Sequence, residues 1–219
     1  MKYIDFHRHT PFCSNDVLEI QNVNLQDLPK FQPDSLFTCG LHPWHLEQLT
    51  LKECLNLLTG AVNLPGLIAI GECGLDKNTD YPLELQQDYF RLHIMLARQF
   101  HKPLIVHCVR RHGELLQLLK AEKFKEPVTI HGFDSKPSVA EQLAEHGIRF
   151  SFGSALLKPH HPAAEVLAEQ TAGSYFLETD DDIYPIEKIY ARAAEIQGCT
   201  INQLIEEVYS AFQNAFSIN

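Results

Sequence analysis

The chain has 219 residues, 45% hydrophobic and 21% charged, with 28 acidic against 18 basic side chains and a formal net charge of −10 at pH 7. That length carries a sizeable core without staples of metal or disulfide, and the balance of apolar to charged residues excludes a disordered chain. A broad basic face that coats nucleic acid is disfavoured, because that mode neutralises many phosphates. A compact cationic centre built on bound divalent ions is compatible with the acidic average.

No run reaches the roughly 18 apolar residues of a membrane-spanning helix, and the opening "MKYIDFHRH" has no long apolar core of a secretion signal, so a cytoplasmic protein is expected. The six cysteines form no CxxC pair; Cys39, Cys73 and Cys108 fall within or just after apolar runs and read as small buried hydrophobes. Twelve histidines invite a search for a metal site. No internal repeat, Gly/Ser linker or shift in composition divides residues 1–219, which reads as one domain, with a monomer as the default state.

Along the chain, short apolar runs end on polar residues. The first, "YIDFHRHT", puts Asp5, His7 and His9 at alternate positions, hence on one face of a strand, with Phe6 and Arg8 on the other. Such a trio either satisfies itself as a structural cluster or converges on a ligand. From His9 to Val17 the interval is too short for an intact crossover helix. A second strand is expected at 17–23, "VLEIQNV". "LFTCGLH" then ends at His42, followed by a helix over roughly 46–59, and "LIAIGE" ends at Glu72.

The clearest helix lies within "PLELQQDYFRLHIMLARQFHKP", opened by Pro82, with Phe90, Ile94, Leu96, Ala97 and Phe100 lining its apolar face and Pro103 starting the next strand. "PLIVH" ends at His107, before a helix over 111–122. "PVTIH" ends at His131, before a helix over 137–146. A strand over 148–154 and a helix over 160–170 precede "YFLETD", which ends at Asp180, and helices over 185–197 and 201–216 complete the chain.

Eight strands alternating with helices predict an α/β fold: a compact, distorted (β/α)8 TIM-type barrel whose first crossover helix is missing or vestigial. Parallel strands present their C-terminal ends at one mouth, where the polar run-ends would gather. The competing open doubly wound sheet lacks its Gly-rich phosphate turn after the first strand.

Taken in order, "DFHRH", "GLHPW", "AIGECGLD", "PLIVH", "IHGF" and "LETD" resemble the motifs of the TatD-like metal-dependent hydrolases, a branch of the amidohydrolase group of distorted barrels. The resemblance is colinear from the first strand to the C-terminal helices and weakest over residues 11–36. It implies two divalent ions, one held by His7, His9, Glu72 and Asp180, the other by Glu72, His107 and His131, with Glu72 bridging and Asp5 orienting one of the imidazoles. Such donors suit zinc, manganese, iron or magnesium. The implied chemistry is hydrolysis by a metal-activated water whose proton passes to Asp180, with Glu72 and Asp180 as the catalytic carboxylates. His42 and Arg110 are implied to hold a substrate phosphate. Each has a plain alternative, His42 as a turn cap and Arg110 as a solvated charge at a helix start.

Elsewhere, His45, His93, His101, His112, His146, His160 and His161 read as surface or internally satisfied residues, and strand alternation turns Cys73 and Cys108 away from the ligands beside them. The pattern departs from the family at "HCVRR", where the arginine comes one position late at Arg110 or Arg111, at "HGFDS", at "ETDDD", and in the short link after His9. The leading expectation is a phosphodiesterase, most simply a deoxyribonuclease acting on nucleic-acid ends. Hydrolysis of an amide or ester such as an aminoacyl linkage is the first alternative, and a non-catalytic metal-binding relative the second.

Overall fold

The structure is a computed structural model that describes residues 2–12, 14–31, 35–171 and 173–216. Its strands lie in chain order, β1 to β8, and every described pairing is parallel. Two compact units are distinguished, Met1–Gln21 with His131–Asn219, and Asn22–Ile130.

In the first unit β1 (Tyr3–Arg8) runs beside the start of β2 (Val17–Asn24), from Tyr3 opposite Val17 to Arg8 opposite Gln21, with a register shift between Asp5 and Arg8. None of the described residues between these strands is helical, as the short interval requires. Further along the chain, β7 (Ile148–Phe152) pairs with β8 (Tyr175–Leu177). The last strand continues alongside the first: the Asp180 amide donates to the His7 carbonyl at 3.0 Å, and Phe6 stacks on Phe176 with ring centroids 4.2 Å apart. Tyr190 locks β1 to a helix by accepting from the Ile4 amide and donating to the Ile4 carbonyl.

In the second unit β3 (Phe37–Gly40), β4 (Leu67–Asp76), β5 (Leu104–Val109) and β6 (Val128–Ile130) pair in succession. The intervening helices are α1 (Leu51–Ala61), α2 (Leu83–Gln99) and α3 (His112–Ala121). Helix α2 buries Gln86, Tyr89, Phe90, His93, Ile94 and Ala97, the three- and four-residue spacing of one helical face. Two glycines let β4 and β5 approach closely. Gly71 and Gly74 have φ of 145° and 147°, and a Cβ on either would run into the backbone carbonyl of Ile105 or His107 respectively.

The remaining helices, α4 (Pro137–Ala144), α5 (Pro162–Glu169), α6 (Ile186–Gln197) and α7 (Ile201–Phe216), match the expected segments to within a few residues. Two details differ. The single helix expected over 46–59 is a short 3-10 turn, Leu46–Gln48, followed by α1, because Thr50 starts a new helix with a capping box: its hydroxyl accepts from the Glu53 amide while Glu53 accepts from the Thr50 amide. Pro82 is the residue before α2 and not its first turn, and an unforeseen 3-10 helix spans Leu25–Lys30. Cys39 and Cys73 are fully buried, as expected, and burial pushes the Cys73 thiol well above its ordinary range.

Candidate metal centre

In the second unit, three polar side chains meet, one just beyond the end of β3 and the others within β4 and β5. His42 Nδ1 accepts from the Trp44 amide at 3.1 Å, which fixes the ring proton on Nε2, and that nitrogen lies 3.1 Å from Glu72 Oε1. The same oxygen is 2.9 Å from His107 Nδ1. The other nitrogen of His107, Nε2, lies 2.9 Å from Asp76 Oδ2. Asp76 is fully buried; burial would raise its pKa, but hydrogen bonds from His107, the Asn78 amide and the Trp44 indole outweigh it and hold the carboxyl below its ordinary range.

An ionised Asp76 draws the His107 proton onto Nε2. In that tautomer the Nδ1 lone pair faces a carboxylate oxygen of Glu72 at 2.9 Å, an apposition that either a second ring proton or a bound cation relieves. Glu72 itself is held by Asn22, whose Oδ1 accepts from the Glu72 amide at 2.8 Å and from Thr38 Oγ1 at 3.0 Å while its Nδ2 donates to Glu72 Oε2. Donor atoms of His42, Glu72 and His107 all lie within 4.8 Å of one another. The donor set therefore fits a divalent ion at Glu72 and His107, with a carboxylate behind the imidazole in the usual outer-shell arrangement.

In the first unit a second group gathers His7, His131 and Asp180, again with donor atoms within 4.8 Å. The His7 and His131 rings stack with centroids 4.1 Å apart and 21° between planes, an arrangement that two imidazolium charges would oppose. Asp180 Oδ1 lies 3.4 Å from His9 Nε2 and 3.7 Å from His7 Nε2. Behind His131, Nδ1 is 3.4 Å from Glu178 Oε1, and Ser151 Oγ donates to the other oxygen of Glu178. These imidazole and carboxylate donors also suit a divalent ion. Asp180 lines a polar cavity of about 260 Å³ together with Gly132, Asp134, Lys158, Glu178 and Asp182.

The turn that presents Asp180 is strained and strongly held. Asp180 and Asp181 have φ of 48° and 58°, unusual for residues with a Cβ. Asp181 accepts from the amides of His9 and Thr10 and from the Thr10 hydroxyl. Buried Asp5 accepts from the Thr179 amide at 2.8 Å and the Thr179 hydroxyl at 2.7 Å, and pairs with Arg8 at 3.4 Å. Desolvation lifts the Asp5 pKa to about 7, against the opposing pull of Thr179 and Arg8. Asp5 thus orients the segment carrying Asp180, whereas the resemblance implied that it orients an imidazole. The register shift between Asp5 and Arg8 breaks strict alternation, which is why Arg8 reaches a carboxylate expected on the opposite face.

His42 caps its turn through Nδ1 and points Nε2 at Glu72. Arg110 is exposed with φ of 53°, directly after β5, while Arg111 is engaged by Glu114 at 2.7 Å. His93 is fully buried and internally satisfied, with Nδ1 to the Tyr89 carbonyl and Nε2 accepting from the Leu41 amide. Three supporting side chains escaped the sequence reading. Asp76 and Glu178 stand inside quoted motifs, four residues after Glu72 and two before Asp180, so same-face strand spacing was an available signal. Asn22 carries none.

The model of the family described as TatD related DNase matches residues 8–217. The uncharacterized metal-dependent hydrolase YjjV of Escherichia coli K12 is 30% identical over 150 residues, 67% of this chain and 58% of that protein. The 3'-5' ssDNA/RNA exonuclease TatD of Erwinia tasmaniensis is 33% identical over 123 residues, 54% of this chain and 47% of that protein. The chain spans about half the length of these curated relatives. The crystal structure of YjjV, a TatD homologue from E. coli, superposes with a TM-score of 0.85 at 24% identity, covering 99% of this chain and 98% of that one. The fold is accordingly the expected distorted (β/α)8 barrel, eight parallel strands with helices between most of them. No helix among the described residues is long and apolar enough to cross a membrane. With motifs, strand order and ligand-rich strand ends in agreement, the chain belongs to the TatD-related DNase family.

Proposed function

We propose that this chain is a metal-dependent hydrolase that cleaves phosphodiester bonds at nucleic-acid ends. The observation that carries the reading is the apposition of His107 Nδ1 and Glu72 Oε1 at 2.9 Å while Asp76 holds the other ring nitrogen. The proposed ligand set is His7, His9, Glu72 and Asp180 for one divalent ion and Glu72, His107 and His131 for another. When bound, such ions supply an acidified water and positive charge against the phosphoryl oxygens.

The chain's own groups do the rest. Asp76 and Glu178 fix the tautomers and tilt of His107 and His131. His42 donates from Nε2 to Glu72 and so fixes the carboxylate's rotation. Asp180 is 45% exposed with Oδ1 toward the imidazoles of His7 and His9, and its carboxylate is the proposed acceptor of the attacking water's proton. Arg110 and Lys158 are exposed cations suited to phosphate oxygens. A nucleic-acid substrate is supported by the relative named as a 3'-5' ssDNA/RNA exonuclease.

The test is hydrolysis of 3′-labelled and 5′-labelled single-stranded oligonucleotides by metal-loaded protein, beside Asp180→Ala and His131→Ala. Cleavage by the unaltered protein and a loss of roughly a thousandfold or more in each variant are expected. Release from amide or aminoacyl-ester substrates with none from oligonucleotides would replace the phosphodiester assignment. No hydrolysis of any class would favour a non-catalytic metal-binding role.

A further inference from the structure

Trp44 is the only tryptophan in the chain. Its amide donates to His42 Nδ1 at 3.1 Å, and its indole Nε1 donates to Asp76 Oδ2 at 2.7 Å, the oxygen that also meets His107 Nε2. The indole meets the rings of His42 and His107 edge-on, with centroids 5.1 and 6.1 Å away and planes at 85° and 70°. A buried carboxylate thus fixes a large aromatic ring beside two site imidazoles, yet the residue remains 54% exposed. Leaving so much apolar surface in water forgoes burial energy, and immobilising it costs conformational entropy.

We infer that Trp44 is a nucleobase platform, on whose open face the base next to the scissile phosphate stacks. This rests on the phosphodiesterase reading and deepens it. In a chain of net charge −10, phosphate neutralisation is a poor source of affinity for a polyanion, and stacking on a fixed π-face supplies affinity without charge. Stacking is tolerant of base identity, because every base has such a face. It requires an unpaired base, so the platform favours single-stranded ends over continuous duplex. Because Asp76 holds both the indole and His107, the stacked base is placed in register with the proposed chemistry.

A single tryptophan makes the test direct, because the emission of the protein reports Trp44 alone. Metal-loaded protein is titrated with a hydrolysis-resistant phosphorothioate oligonucleotide and with the same strand carrying an abasic terminal position, binding being followed separately by anisotropy. Saturable quenching by the first and little by the second is expected. In steady-state cleavage, the abasic end is expected to raise KM about five- to a hundredfold in the unaltered protein. That difference should vanish in Trp44→Ala and return only in part in Trp44→Phe, which keeps an aromatic face but loses the hydrogen bond to Asp76.

Binding with unchanged tryptophan emission, or an abasic penalty that persists in Trp44→Ala, overturns the platform. Failure of the phosphodiesterase reading looks different: wild-type protein then cleaves no oligonucleotide, and quenching without cleavage still supports stacking. Absence of both binding and cleavage overturns both.

Discussion

Lowering the pH from 7 to 4 is expected to remove about 3 kcal/mol of folding stability through one side chain, His93. Its ring is completely buried in α2, and desolvation pushes its pKa from 6.5 down to about 4 against the smaller opposing effect of the Tyr89 carbonyl. Between those two values the unfolded chain binds a proton that the folded chain refuses. The contribution is therefore complete above pH 6.5, declines as pH falls toward 4, and is flat below that. The full gap between 6.5 and about 4, at about 1.4 kcal/mol per pH unit, is about 3.5 kcal/mol, of which about 3 kcal/mol is lost by pH 4, where the folded ring is half protonated. Protonation would also turn the Nε2 acceptor of the Leu41 amide into a donor, loosening the chain next to His42. Urea unfolding of metal-free protein between pH 7.5 and 4 measures this, metal-free so that release of ions adds no slope of its own. Wild-type protein should lose about 3 kcal/mol more than His93→Gln over that range. Parallel stability curves for the two proteins would refute the reasoning, as would a His93 resonance titrating near 6.5.

Gly74→Ala forces a Cβ into the His107 carbonyl at a φ of 147°, and a loss of roughly 3 kcal/mol or more in thermal or urea unfolding is expected. A variant that melts with the unaltered protein would show that β4 and β5 can separate without cost. Thr50→Ala removes only the capping box of α1, so a cost of about 1 kcal/mol, seen as a drop of about 2–4 °C in Tm, is expected with ligand binding and turnover preserved. A loss of activity there would show that α1 has a role in the site beyond packing.

Most of the proposed ligands were legible because strand-end spacing is local. His7 and His9 in "DFHRH", Glu72 in "AIGE" and Asp180 in "LETD" each end an apolar run, and alternation groups His7 with His9 without any knowledge of neighbours, whereas Asp180 is set by the turn after β8. Their supporting residues were less legible. Asp76 matters because its carboxylate reaches back to a histidine 31 positions later, and Asp5 because it meets Thr179, 174 positions away. Neither distance leaves a periodic trace. The break at Thr50 was missed for the opposite reason: the signal was local, but an apolar period running through Leu46 and Leu51 masked it.

The sequence by itself determined the order of strands and helices, the polar strand ends and the family, because each follows from hydrophobic period, chain punctuation and short motifs. Tertiary structure alone decided which nitrogen of His107 faces Glu72, that Asp5 holds Thr179, and that a tryptophan stays half in water beside the site. Proton positions and exposure are set by partners brought together from distant parts of the chain, and hydrogen bonds in a low-dielectric interior are what fix them.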